Sequence, residues 1–192
     1  MDSRNDAELW RRGRDGDASA VGELFRRHAP AVFVFLVRRT GDRELAEDLT
    51  SLVFLEAWRK RGSIRLSGDS ALPWLYGVAL HCARNARRSL RRQRAALDRL
   101  ALERPAPAQA ADRELGDVLA LLRRLPDNQR DVILACAWTG LSYEDAAVAL
   151  GVPVGTVRSR LSRARGRLAE LEAERGHSAG TPALAPIRED PA

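Results

Sequence analysis

Residues 141–167 read Leu-Ser-Tyr-Glu-Asp-Ala-Ala-Val-Ala-Leu-Gly-Val-Pro-Val-Gly-Thr-Val-Arg-Ser-Arg-Leu-Ser-Arg-Ala-Arg-Gly-Arg and leave the chain little choice of fold. Ser142 with Asp145 three residues on is a capping-box pattern, so a short helix starts there and turns Ala146, Ala147 and Leu150 toward its neighbours. Gly151 supplies the positive φ of a tight turn, Val152 plugs the corner, and Pro153 suits the first turn of a second helix. On that helix Val154, Val157, Leu161, Ala164, Leu168 and Leu171 form one apolar stripe at spacings of three and four. The opposite side is centred on Ser159, Arg163 and Gly166 and flanked by Arg158, Arg160, Arg165 and Arg167. This is the pattern of a helix-turn-helix.

A helix of that width fits the major groove of B-DNA, where Arg binds guanine O6 and N7 bidentately. Thr156, Arg158, Ser159 and Arg163, nearest the helix start, are placed to read bases, and the outlying Arg160 and Arg165 suit phosphates. The plainer alternative is a surface helix with solvated arginines. Glu170, Glu172 and Glu174 would repel phosphate and mark where a DNA-facing surface stops.

The remainder of the 192 residues fits an all-α protein. Ala, Leu and Arg abound, aromatics make up only 5%, and no segment favours a strand over a helix. A net charge of +6 and a pI near 10.5 favour a polyanionic partner. The charge is concentrated: residues 84–94 and 158–167 are rich in Arg and free of acids, and Lys60 is the only lysine. The polar start and the lack of a long apolar run argue against a signal peptide or membrane insertion and suggest a cytoplasmic protein. Cys82 and Cys136 sit in apolar stripes without a CxxC partner and read as reduced core residues.

Taken in order, a helix over 6–14 is followed by a second from about Asp17 with Leu24 and Phe25 inward, and Pro30 opens a third over 31–39. From Asp42 to Lys60 a helix carries Leu45, Leu49, Leu52, Val53 and Trp58 on one side and Asp42, Glu44, Glu47, Asp48 and Glu56 on the other. By composition that acidic side is a solvated face. A loop over 61–73 leads into a helix from Trp74 to about Arg92, with Leu75, Val78, Ala79, Cys82, Ala86 and Leu90 opposite Arg84, Arg87, Arg88 and Arg91. An acid-free basic row led by Trp74 and Tyr76 suits nucleic acid as well as solvent. A flexible linker is expected at 95–112, dividing a domain over 1–94 from one over 113–175. In the second, Leu125-Pro126 breaks a helix and Asp127 is placed to cap the next. Residues 176–192, rich in Pro and Gly, read as a disordered tail.

The motifs Leu125-Pro126-x-x-Gln129-Arg130, Gly140-Leu141-Ser142-Tyr143-Glu144 and Gly155-Thr156-Val157-Arg158-Ser159-Arg160-Leu161-x-Arg163-Ala164-Arg165 closely resemble region 4 of bacterial extracytoplasmic-function sigma factors. Ala46-Glu47-Asp48-Leu49 with Phe54-Leu55-x-Ala57-Trp58 resembles that family's region 2, and Trp74-Leu75-Tyr76 with Ala83-Arg84-Asn85 its promoter-melting segment. The resemblance covers about residues 6–172. It implies a dissociable subunit that binds RNA polymerase core and directs it to promoters. The first domain would hold the clamp of the largest subunit through Glu47, Asp48, Ser51, Leu52 and Glu56. It would open the minus-10 element with Ile64, Trp74, Tyr76, His81, Arg84, Arg87, Arg88 and Arg91. The second would bind the minus-35 element through Thr156, Arg158, Ser159, Arg160, Arg163 and Arg165. An anti-sigma factor that covers the polymerase face is a further partner compatible with this reading.

The chain departs from the family at three places. Ser51-Leu52 replaces the usual Gln-Glu or Gln-Asp pair, removing a polar and an acidic clamp contact. His81 stands where Asn is frequent in the base-holding position, and Gly77 replaces the basic residue after Trp-Leu-Tyr. A rival reading is a stand-alone regulator using the helix-turn-helix on an operator, though it leaves the basic, aromatic-led helix of the first half without a task. No metal-spaced His/Cys set, paired acids or phosphate loop points to an enzyme, a metal or a cofactor.

Overall fold

The computed structural model describes residues 5–64, 66, 69–99 and 113–176. Among these residues the chain is helical with no strand. The elements are α1 (Asp6–Arg14), α2 (Ala18–Thr40), α3 (Arg43–Lys60), α4 (Leu72–Arg99), α5 (Arg113–Arg124), α6 (Asp127–Val132), α7 (Tyr143–Leu150) and α8 (Val154–Gly176), with a π-helical turn (Ile133–Trp138) continuing α6.

Short polar side chains set the helix starts. Asp17 accepts the amides of Ser19 and Ala20, Asp42 that of Leu45, and Ser142 that of Asp145 at 3.0 Å. Each such cap contributes about 0.5–2 kcal/mol. Gly41 and Gly151 end α2 and α7 with φ of +68° and +65°, where any other residue would be strained.

Five sequence expectations are corrected. Helix α2 runs unbroken through Pro30. Leu24, His28, Val32, Phe35, Leu36 and Arg39 make one continuous buried stripe across it, and that burial outweighs the ~3 kcal/mol cost of an interior proline. Phe25 is 43% exposed, its ring meeting Phe54 edge-on at 4.8 Å, and Leu52 is 40% exposed rather than part of the packing side of α3. Helix α4 continues to Arg99, since no Gly or Pro interrupts residues 92–99, so the first five residues assigned to the linker are helical. The rest of that linker, 100–112, and the tail from 177 lie outside the described residues. Finally, Asp127 does not cap α6; Pro126 stands at the cap position without a side-chain bond, and the Asp127 carboxylate pairs with Arg87 and Arg39 instead.

Helices α1, α3 and α4 pack around α2, while α6 and α7 pack around the apolar stripe of α8. Val157, Leu161, Ala164 and Leu171 are buried there as the spacing requires. Arg130 ties α5 to α6: buried, it donates to the carbonyls of Leu122, Arg123 and Leu125 at 2.7, 2.7 and 3.2 Å. It thereby satisfies carbonyls left open at the end of α5, which gives the Leu-Pro-x-x-Gln-Arg motif a structural task. Burial pushes the Arg130 pKa down to about 10, still charged at neutral pH.

The buried side chains of the N- and C-terminal halves form one continuous core, joined where α4 lies against α7. Charge reinforces the junction. Asp131, only 1% exposed, accepts from Arg39 Nε at 2.5 Å and from Arg84 Nη2 at 2.8 Å. Arg38 lies 3.9 Å over the Trp138 ring, and Arg123 Nη2 donates to the Gly41 carbonyl at 2.7 Å. Both cysteines are free thiols; burial raises both, Cys136 to about 11, so they are held as neutral thiols.

Candidate nucleic-acid interface

Helix α8 presents its polar face as the heptad arithmetic requires. With Val157, Leu161 and Ala164 buried, Arg158, Ser159, Arg163 and Arg165 fall on the exposed side, and Thr156 and Arg160 at its half-buried edges. Arg163 folds back along the helix, its Nε donating to the Ser159 carbonyl at 3.1 Å and Nη2 to Ser159 Oγ at 3.4 Å. Ser159 Oγ in turn donates to the Thr156 carbonyl at 3.1 Å. Arg158 is stacked over the Tyr143 ring, 5.7 Å from its centroid, so the start of α7 helps hold it. Arg167 is paired with Glu170 at 2.7 Å, closing the basic face at the acidic end. Of the six residues assigned to minus-35 contact, Ser159 and Arg163 thus centre the outer face of this helix, Arg158 and Arg165 flank it on one side, and Thr156 and Arg160 flank it on the other.

The minus-10 set does not share a single face. Tyr76 is 5% exposed, its ring packed 4.7 Å from that of Phe35, and burial raises its hydroxyl pKa, so it supports the helix from within the core rather than facing a ligand. Trp74 is half-buried against Trp10, with ring centroids 5.1 Å apart, and Trp10 Nε1 donates to the Ile64 carbonyl at 3.3 Å. His81 is exposed and shares a 2.9 Å hydrogen bond between its Nε2 and Asn85 Nδ2, while Arg88 reaches Asn85 Oδ1 at 3.2 Å. Arg91 is exposed. Arg84 and Arg87, however, turn toward the C-terminal half and pair with Asp131 and Asp127. Ile64, Trp74, His81 and Arg84 line a cleft of about 340 Å³ between α4 and the helix-turn-helix, with Val148 and Gly151 on its far side.

On α3, Glu47, Asp48, Ser51 and Leu52 are exposed together, and Leu55, 50% exposed, joins them. Glu56 is turned partly inward, 3.4 Å from Arg59 and 3.7 Å from Lys60, and lines the same cleft. The result is a mixed acidic and apolar surface rather than a uniformly acidic one. Sequence reasoning missed Leu55 in this role, as it missed Arg39, Asp127 and Asp131 at the junction. The available signal was a charged pair, Arg39 and Asp131, lying inside otherwise apolar helical stripes.

Among the described residues no group of three or more His, Cys, Asp or Glu could hold a metal ion, and no helix is long and apolar enough to cross a membrane.

Comparison with known proteins accounts for both halves. The family description "Sigma-70 region 2" matches residues 24–93, and "Sigma-70, region 4" matches residues 115–168. The chain is 34% identical over 166 residues to RNA polymerase sigma factor CarQ of Myxococcus xanthus, covering 85% of this chain and 95% of that one. It is 36% identical over 172 residues to the ECF RNA polymerase sigma factor SigM of Mycobacterium tuberculosis, covering 88% and 85%. Among solved structures it is similar to sigma factor RpoE in complex with the anti-sigma factor NepR from Bartonella quintana. That likeness has a TM-score of 0.61 and 31% identity and covers 79% of this chain and 96% of the other. The fold of CnrH, solved with the cytosolic domain of CnrY, is also similar, with a TM-score of 0.67 at 24% identity over 88% and 97% of the two chains.

Proposed function

The chain belongs to the extracytoplasmic-function branch of the sigma-70 family of RNA polymerase sigma factors, and from that premise we propose how its residues divide the work of promoter recognition. The family assignment favours a sigma factor over a stand-alone operator-binding regulator, because the match over residues 24–93 gives the first half its own task.

In this reading the exposed face of α3, with Glu47, Asp48, Ser51, Leu52 and Leu55, docks on the clamp of polymerase core. Two leucines there substitute apolar burial for a missing acidic contact. Helix α8 enters the major groove of the minus-35 element, Arg158, Ser159 and Arg163 reading base edges and Arg160 and Arg165 holding phosphates. Trp74 and His81 offer flat surfaces against which an unstacked minus-10 base can rest, and the basic residues of α4 follow the strand backbone. Tyr76 positions Trp74 and Gly77 by anchoring α4 in the core. The observation that carries this division is the acid-free outer face of α8 over residues 156–167, with Arg158, Ser159, Arg163 and Arg165 exposed, beside a separate basic helix in the other half.

An anti-sigma protein is a further partner in this reading, supported by the complex with the anti-sigma factor NepR in which the Bartonella quintana relative was solved. Its natural target is the α3 face, whose exposed leucines need covering when polymerase is absent.

Reconstitution tests the proposal. Core polymerase with this chain should start transcripts at discrete sites on bacterial genomic DNA that share two upstream elements, and core alone should not. Discrete DNA binding by the chain without any gain in initiation would instead support the operator-binding alternative.

A further inference from the structure

Two of the α4 arginines that would meet promoter phosphate, Arg84 and Arg87, are already neutralised from within the chain. Arg84 donates through Nε and Nη2 to Asp131 Oδ2 at 3.1 and 2.8 Å, and Arg87 pairs with Asp127. The second oxygen of Asp131 takes Arg39 of α2, so one buried carboxylate is shared by two arginines of the N-terminal half. A carboxylate presents to guanidinium the same kind of oxygen pair that a phosphate does.

The close seat of α7 on α4 depends on one missing side chain. A Cβ at Gly77 would stand 2.9 Å from the Ala149 carbonyl oxygen and 3.3 Å from its Cα, both backbone atoms that cannot swing aside. Val148 and Gly151 of the same turn close the cleft over Trp74 and His81.

We propose that these contacts form an intramolecular lock: the helix-turn-helix half docks on the promoter-melting face of α4, Asp131 and Asp127 standing in for DNA phosphates on Arg84 and Arg87, with Gly77 providing the seat. The lock rests on the reading of α4 as a nucleic-acid surface. Because the same guanidiniums serve either the aspartates or the DNA backbone, the free chain binds melted DNA weakly and gains affinity when the halves part. The position where the family carries a basic residue is, in this chain, the glycine that lets the lock close.

The test uses the full chain without polymerase and a labelled single-stranded DNA of mixed sequence, with dyes at Ser89 and Ser162 reporting the separation of α4 and α8. Two variants open the lock by different routes: Asp127→Asn with Asp131→Asn removes its charges, and Gly77→Leu keeps every charge but wedges Ala149 away. Each should lower energy transfer between the dyes and tighten DNA binding by about tenfold or more, as expected if the open form is a tenth or less of the population. A variant that is folded by circular dichroism and open by energy transfer, yet binds DNA no tighter than wild type, overturns the lock. So does a wild-type chain whose dyes are already far apart. If the double variant does not fold, Gly77→Leu decides alone. In polymerase holoenzyme, Arg88→Ala should weaken promoter opening whether or not the lock exists. Failure of that control would count against the α4 reading itself, and the lock with it, whereas failure of the affinity gain alone leaves that reading standing.

Discussion

Arg84 of α4 directs both Nε and Nη2 at a single carboxylate oxygen of Asp131 in α6, and Arg39 of α2 holds the other. Three helices from two halves of the chain thus meet on one buried acid. The two arginines are not equivalent: the Arg39 side chain is 4% exposed and that of Arg84 39%. Asp131→Ala leaves Arg39 in the core with only its longer 3.3 Å contact to Asp127 and should cost about 3–5 kcal/mol, the usual penalty for breaking a buried ion pair by removing one partner. Arg84→Ala, with water to screen it, should cost no more than about 1 kcal/mol. Urea unfolding of the two variants checks the ordering, and equal losses would mean that Arg84 is as deeply committed to the fold as Arg39.

Leu52 and Leu55 lie exposed beside Asp48 on α3, so their truncation should leave the isolated chain as stable as before. If they cover apolar clamp surface, Leu52→Ala and Leu55→Ala should each weaken core binding by about 1–2 kcal/mol, the transfer value of the side-chain area lost. Competition for core against a labelled sigma factor measures this. Unchanged binding would return the burden to Glu47 and Asp48.

Arg88 and Arg91 are exposed basic residues of α4 that lie outside the ion pairs with Asp127 and Asp131. Replacing either with Ala should reduce binding to single-stranded DNA with little regard to sequence. The slope of log affinity against log salt should fall by roughly 0.7 for each phosphate contact removed. A loss confined to one base sequence would show base reading instead.

Asp6 anchors α1 to the rest of the N-terminal half. Burial pushes its pKa up, but hydrogen bonds from His28 at 2.7 Å, the Ala71 amide at 2.8 Å and Arg27 at 2.8 Å outweigh this and hold it below the ordinary carboxylate value. A pKa lower in the folded than in the unfolded chain adds stability that is complete above about 4 and is lost as pH falls through the folded value. Asp6→Asn should therefore be less stable than wild type at neutral pH, and the gap should narrow on acidification below about pH 4. Thermal unfolding across that range checks the sign; a gap that widens toward acid would contradict it.

The helix-turn-helix was legible almost residue by residue, because cap, turn glycine and stripe each impose a separate local requirement and all agree at Ser142, Gly151 and Val157–Leu171. Where local chemistry and tertiary packing compete, sequence misleads. Pro30 reads as a helix start, yet the buried stripe on both sides of it keeps α2 whole. Tyr76 reads as an interface aromatic beside Trp74, but its ring is spent on Phe35. The basic row of α4 reads as a single face, whereas Arg84 and Arg87 are claimed by acids 47 and 40 positions away, a pairing that no local pattern encodes. The departures at Ser51-Leu52 and Gly77 were visible at once, and only the structure connects the glycine to the close approach of α7.

Whether α8 reads the upstream element while α4 and α3 serve melting and core binding is decided by a double cycle in transcription. Initiation by core polymerase with wild-type chain or Arg163→Ala is measured on a responsive promoter with its minus-35 element intact or scrambled. On the intact promoter Arg163→Ala should cost about 1–3 kcal/mol of apparent affinity, a value expected for one bidentate Arg–guanine contact. On the scrambled promoter it should cost almost nothing, because the contact is already gone. Equal losses on both promoters would place Arg163 on the DNA backbone and contradict its assignment as a reader of the minus-35 element.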